Sequence, residues 1–138
     1  LCEQAEVLLH GMGDVHPSRV KVELLERLCA LYPGGREARG VLSCSGSDAV
    51  ETALKTAMLA TGRAGVIAFE GAYHGLSFGA LDCTWREDFK KPFRARLPAA
   101  TRHARFGDLA DVRRIADEAE ASARASGPGA AIGAVLVE

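Results

Sequence analysis

The sequence predicts an α/β domain: a layered, mostly parallel sheet with flanking helices. Two observations carry this. "GVIAFE" (65–70) and "AAIGAVLVE" (130–138) are nearly all apolar, the pattern of strands buried on both faces, and "GVLSC" (40–44) reads as a shorter third. Between these runs lie segments whose apolar residues recur at spacings of three and four, the helical period. Alternation of such strands and helices implies a sheet covered by helices. The chain has 138 residues, 48% hydrophobic and 25% charged, enough for one domain with a real core and the balance of a soluble globular protein.

In chain order, residues 1–9 read as the tail of a helix and "HGMGDVHPS" (10–18) as a loop. Pro17 and Ser18 open a helix running to about Tyr32, with Val20, Leu24, Leu28 and Leu31 as its apolar stripe. "PGG" (33–35) ends it, because Pro stops helices and Gly suits the C-terminal cap. After the "GVLSC" strand, Ser45 with Asp48 three residues later has the form of a capping box. The helix that follows has Ala49, Val50, Ala53, Leu54 and Ala57 as its inner face, and ends near Thr61 and Gly62. "GVIAFE" then completes a strand–helix–strand unit. "GAYHGLSFGAL" (71–81) is a Gly-rich turn leading into a short helix. Residues 85–107 show no clear period and read as a long surface connection with one short strand. Residues 107–125 form an amphipathic helix with Asp108 as N-cap and Leu109, Val112, Ile115, Ala116 and Ala119 on one face. "SGPG" (126–129) breaks it before the last strand.

The formal net charge of −1 gives no electrostatic reason to expect nucleic acid or an anionic membrane as partner. No apolar run is long enough to span a bilayer, and no signal peptide is visible. The cysteines, Cys2, Cys29, Cys44 and Cys83, form no CxxC pair, which predicts reduced, mostly buried thiols of a cytoplasmic protein. No metal site is expected, since the histidines do not cluster with the cysteines at ligand spacing. The chain starts inside a helix and stops at a strand end, so it reads as an internal piece of a longer protein.

Ligands of parallel α/β sheets sit beyond the carboxyl ends of strands. Three features fall there: Ser45–Gly46–Ser47, the turn with Tyr73 and His74, and Glu138. A helix start carries free N–H groups and the positive end of the helix dipole, so it attracts anions. Gly46 removes a side chain where a phosphate must approach, and Ser45 and Ser47 add hydroxyls. The alternative for this stretch is an ordinary capped helix without a ligand. It is neither a P-loop nor the GxGxxG dinucleotide fingerprint. Tyr73 is either a core residue or a platform for a flat ligand, exposed by the glycines around it. Glu138, a carboxylate at the end of a buried strand, must be paired or face a cleft. Together the three suit a flat, phosphorylated aromatic cofactor such as pyridoxal phosphate.

"SGSDAVETALKTAMLATGR", "VIAFEGAYHGLSFGAL" and the closing "AVLVE" resemble the class III pyridoxal-phosphate-dependent aminotransferases, of fold type I. The resemblance extends over essentially all of the chain. It implies that Gly46 and Ser47 hold the cofactor phosphate through the backbone and a hydroxyl, that Tyr73 stacks on the pyridine ring, and that His74 and Gly75 shape the same turn. It implies a substrate-side role for Glu138, near a substrate-binding arginine, and structural roles for Asp48 and Glu51. His16 and Asp14 are weaker candidates for the substrate side. The implied reaction moves an amino group from an amine or ω-amino acid to a 2-oxo acid. The implied assembly is a homodimer. On the same resemblance, the catalytic lysine and the ring-nitrogen aspartate lie after Glu138. Residues 1–138 are then an incomplete cofactor-binding large domain without the C-terminal small domain, and inactive alone. Two other readings remain: an aminomutase or decarboxylase of the same family, and a phosphate-binding module without chemistry.

Overall fold

The computed structural model describes residues 2–8, 11, 13, 15–33 and 38–138, which divide into two units, residues 1–42 and 43–138. In the first unit, α1 spans Cys2–Val7 and α2 spans Arg19–Leu31. Ser18 caps α2, its hydroxyl accepting the Lys21 N–H at 3.4 Å. The predicted stripe of α2 forms, but Val20, Leu24, Leu28 and Leu31 are all exposed within this unit. The glycine cap expected at 34–35 lies outside the described residues, and Tyr32 takes the C-cap position.

The second unit is a three-layer sandwich. Its elements are α3 (Gly46–Thr61), β1 (Gly65–Phe69), α4 (Phe78–Cys83), α5 (Glu87–Lys90), β2 (Thr101–Ala104), α6 (Leu109–Ser126) and β3 (Ile132–Val135). Two short 3₁₀ segments, Lys91–Arg96 and Pro128–Ala130, precede β2 and β3. The strand order is β2-β1-β3, and β1 is parallel to both neighbours. Every residue of β1 is buried. Its side chains alternate between two cores, as the period of a strand requires. Ile67 and Phe69 pack with Ala104, Ile115, Val112 and Ala116 on the α6 side. Val66 and Ala68 pack with Cys83, Leu54 and Leu136 on the α3 and α4 side.

The structure corrects several expectations. Residues 40–44 form no strand, and Val41 and Leu42 are exposed. An apolar run becomes a strand when a neighbour takes its N–H and C=O groups, and the three strands of the sheet pair with one another. Consequently the predicted strand–helix–strand unit around α3 does not form. The parallel connections run instead from β1 through α4 and α5 to β2, and from β2 through α6 to β3. The stretch 85–107 contains its predicted strand but also α5, stapled locally by Glu87 to Lys90 at 3.2 Å and by Glu87 to Arg94. A four-residue helix is too short to show a period. Leu109, expected on the inner face of α6, is 60% exposed at the helix start. The cysteines are not mostly buried: Cys83 is buried, Cys29 half-buried, and Cys2 and Cys44 are exposed. Among the described residues, no helix is long and apolar enough to cross a membrane.

Candidate functional site

The site begins at α3. Ser45 is its N-cap, and its hydroxyl accepts the Asp48 N–H at 3.2 Å. Asp48 returns the bond one residue early: its carboxylate accepts from Cys44 N at 3.2 Å. This cap leaves the first two N–H groups of the helix, those of Gly46 and Ser47, without an acceptor among the described residues. A Cβ placed on Gly46 would meet nothing within 4 Å, so the backbone there opens directly onto free space.

The turn after β1 is the hub to which the other parts attach. Glu70 N donates to Ala104 O at 3.0 Å, and Trp85 N to Ala72 O at 2.9 Å. Tyr73 N donates to the Glu138 carboxylate at 2.7 Å. Thr84 Oγ1 accepts the His74 N–H at 3.0 Å and lies 3.1 Å from the carbonyls of Gly75 and Ala80. Ser47 Oγ accepts from Leu76 N at 3.2 Å and Ser77 N at 2.9 Å, and donates to Ser77 Oγ at 2.8 Å. The close approach of α3 explains Gly75: its φ is +123°, and a Cβ there would lie 2.5 Å from Ser47 Oγ.

Two side chains of the turn have contrasting surroundings. Tyr73 is 46% exposed, and its ring packs edge-on against Phe89, with centroids 5.9 Å apart. Phe89 in turn lies under the Arg86 guanidinium at 4.6 Å. His74 is buried, and its Nε2 has no hydrogen-bond partner among the described residues. Burial lowers the His74 pKa below its ordinary value; the Glu138 carboxylate opposes this and His103 adds to it.

The predicted residues therefore converge in part. Ser47, Tyr73, His74 and Glu138 are joined through one turn, and Gly46 adjoins Ser47 at the helix start. Glu138 is engaged in holding the turn, and the Ser47 hydroxyl does the same. His16 lies in the first unit, and Asp14 lies outside the described residues. Sequence reasoning missed how Glu51 and Thr84 act. Glu51 carried a signal, being one helical turn beyond Ser47 on the same face of α3; Thr84 carried none. The residues present fit two parts of pyridoxal phosphate: an open backbone seat with unclaimed N–H groups for the phosphate, and a half-exposed aromatic face for the ring.

This fold is that of the fold type I transaminases. A family model described as aminotransferase class-III matches residues 1–138, and the chain belongs to that family. It is 37% identical over 122 residues to an acetylornithine aminotransferase from Archaeoglobus fulgidus, covering 88% of this chain and 31% of the relative. Among solved structures it resembles an (S)-enantioselective omega-transaminase from Thermomicrobium roseum, with a TM-score of 0.71 and 26% identity over 97% of this chain and 33% of that one. It has the same TM-score, 0.71, to a taurine:2-oxoglutarate aminotransferase from Bifidobacterium kashiwanohense in complex with PLP and glutamate, at 20% identity over 99% of this chain and 33% of that one. The chain thus spans about a third of the length of the relatives it matches. Family and fold together imply pyridoxal phosphate as cofactor.

Proposed function

We propose that this chain is the cofactor-holding part of an aminotransferase that moves an amino group from an amine or ω-amino acid to a 2-oxo acid. The observation that carries the reading is the turn 70–77, tied by Ser47 to the start of α3 and by Glu138 to the residues after β3. It joins an anion seat, an aromatic face and a carboxylate. Pyridoxal phosphate, when bound, supplies the carbonyl that takes up the amino group and a ring that accepts the electron pair released from the substrate. The chain's own residues bind and orient. Gly46 and Ser47 offer backbone N–H groups to the phosphate. Tyr73 covers one ring face, His74 packs beneath the turn, and Glu138 sets the position of Tyr73 at the substrate side.

The names of two of these proteins, an acetylornithine aminotransferase and an omega-transaminase, support an amine or ω-amino donor. Residues 43–138 hold the cofactor rather than turn it over. Lys90 is buried against Glu87, Lys91 is exposed beside it, Lys55 projects from α3, and Lys21 belongs to the first unit. None stands at a strand end. The test is Tyr73→Ala in the protein as its gene encodes it. An aromatic contact of about 1 kcal/mol predicts that pyridoxal phosphate binds roughly five- to tenfold more weakly. Unchanged binding would remove Tyr73 from the site.

A further inference from the structure

The geometry points to Glu51 as a positioning residue for Tyr73, acting through α4; the inference rests on the aminotransferase reading above. α4 has Ser77 at its N-cap, but the Ser77 side chain makes no capping bond. The cap comes from another helix. Glu51 Oε1 accepts from Gly79 N at 2.5 Å and from Ala80 N at 3.0 Å. A carboxylate at a helix start satisfies donors that have no partner inside the helix and sits at the favourable end of the dipole. One turn earlier on α3, Ser47 accepts from Leu76 N and Ser77 N. Two side chains on one face of α3 thus take four backbone N–H groups of the segment 76–80. Gly79 permits the approach, since a Cβ there would stand 3.0 Å from both Glu51 oxygens.

The far end of α4 completes the linkage. Thr84, the C-cap residue, binds His74 N and faces Gly75 O, the two residues after Tyr73. Any movement of the helix start is carried through a six-residue helix to the threonine that grips the turn. Glu138 holds the other side of that turn at Tyr73 N. Releasing Glu51 therefore lets the aromatic platform shift while the phosphate seat at Gly46, in the first turn of α3, stays in place.

A double-mutant cycle on the protein as its gene encodes it tests this. Equilibrium binding of pyridoxal phosphate is read by protein fluorescence, at a temperature where circular dichroism shows each variant folded. Glu51→Ala weakens binding about fivefold, and Glu51→Gln, which keeps an acceptor oxygen in place, stays within about twofold of the parent. Gly79→Ala, which pushes the carboxylate aside without removing it, weakens binding in the same direction if Glu51→Ala does not fold. In the Tyr73→Ala background, the effect of Glu51→Ala or Gly79→Ala disappears. An equal loss with and without Tyr73 overturns the inference but spares the stacking role. No loss from Tyr73→Ala alone overturns the stacking role, and the inference with it.

Discussion

At the residue scale, His74 combines a fixed backbone with an unserved ring. Its N–H is held by Thr84, while the ring is buried with Nε2 unpartnered among the described residues. Protonating such a ring means placing a charge where burial disfavours it, and His103, also lowered chiefly by burial, adds to the cost. Glu138 opposes the shift at His74. Around His103, the Cys83 carbonyl, Asp82 and Glu87 oppose it, and Lys90 reinforces it. For both rings the folded pKa is below the unfolded one. Below the ordinary value of about 6.5, the unfolded chain binds protons that the folded protein refuses, so stability falls as pH drops. The urea midpoint should be flat from pH 8 to 7 and decline as pH falls through 6.5 towards 5. His74→Leu should make that decline shallower. A midpoint that rises on acidification would contradict the account. Carboxylates held low by hydrogen bonds, such as Asp111 beside Arg105 N and Arg114, act in a separate window at lower pH.

At the element scale, α4 is tied at three points. Its start is capped by Glu51, its end is extended by Thr84, and its middle carries Asp82, a buried carboxylate. Asp82 accepts from Ala99 N at 3.2 Å, Ala100 N at 3.0 Å and Thr101 N at 3.0 Å, and from the Thr101 hydroxyl at 2.8 Å. These bonds hold Ala99 at a φ of +53°, in the left-handed region unusual for a side-chain-bearing residue, and start β2 in register with β1. Asn in place of Asp82 offers one acceptor oxygen and turns an NH₂ toward donors. Asp82→Asn should destabilise by about 1–3 kcal/mol, read as a lower urea midpoint with an unchanged slope. An unchanged midpoint would mean that water serves those N–H groups equally well.

At the scale of the whole molecule, the features legible in the sequence are those that depend on short spacing. Ser45 and Asp108 cap their helices as expected, because a cap needs a hydroxyl or carboxylate and an N–H three residues on. "GVIAFE" is the central strand because an all-apolar run fits between two layers. The segment 40–44 departs from its apolar pattern because a strand is a property of a pair. The inner face of α3 differs from its predicted one for a related reason. Ala49 and Ala53 are exposed, while half-buried Ser47, Val50, Glu51, Leu54 and Ala57 face inward. Polar residues at 47 and 51 belong inward because backbone N–H groups of residues 76–80 wait there, and no helical pattern foretells that. Of the candidate site, the residue types are legible, small residues at a helix start and an aromatic in a glycine turn after a strand, but the bonds that join them are not.

The central claim is that the open backbone at Gly46 seats the phosphate of pyridoxal phosphate. Gly46→Val isolates it, because the added side chain meets no protein atom within 4 Å of its Cβ and Gly46 does not adopt a positive φ. The measurement is the pyridoxal phosphate dissociation constant of this variant beside its unfolding midpoint. The unfolding midpoint should equal the parent's and binding should weaken about tenfold or more, the loss of roughly one charge-assisted hydrogen bond. Parent-like binding with parent-like stability would contradict the claim.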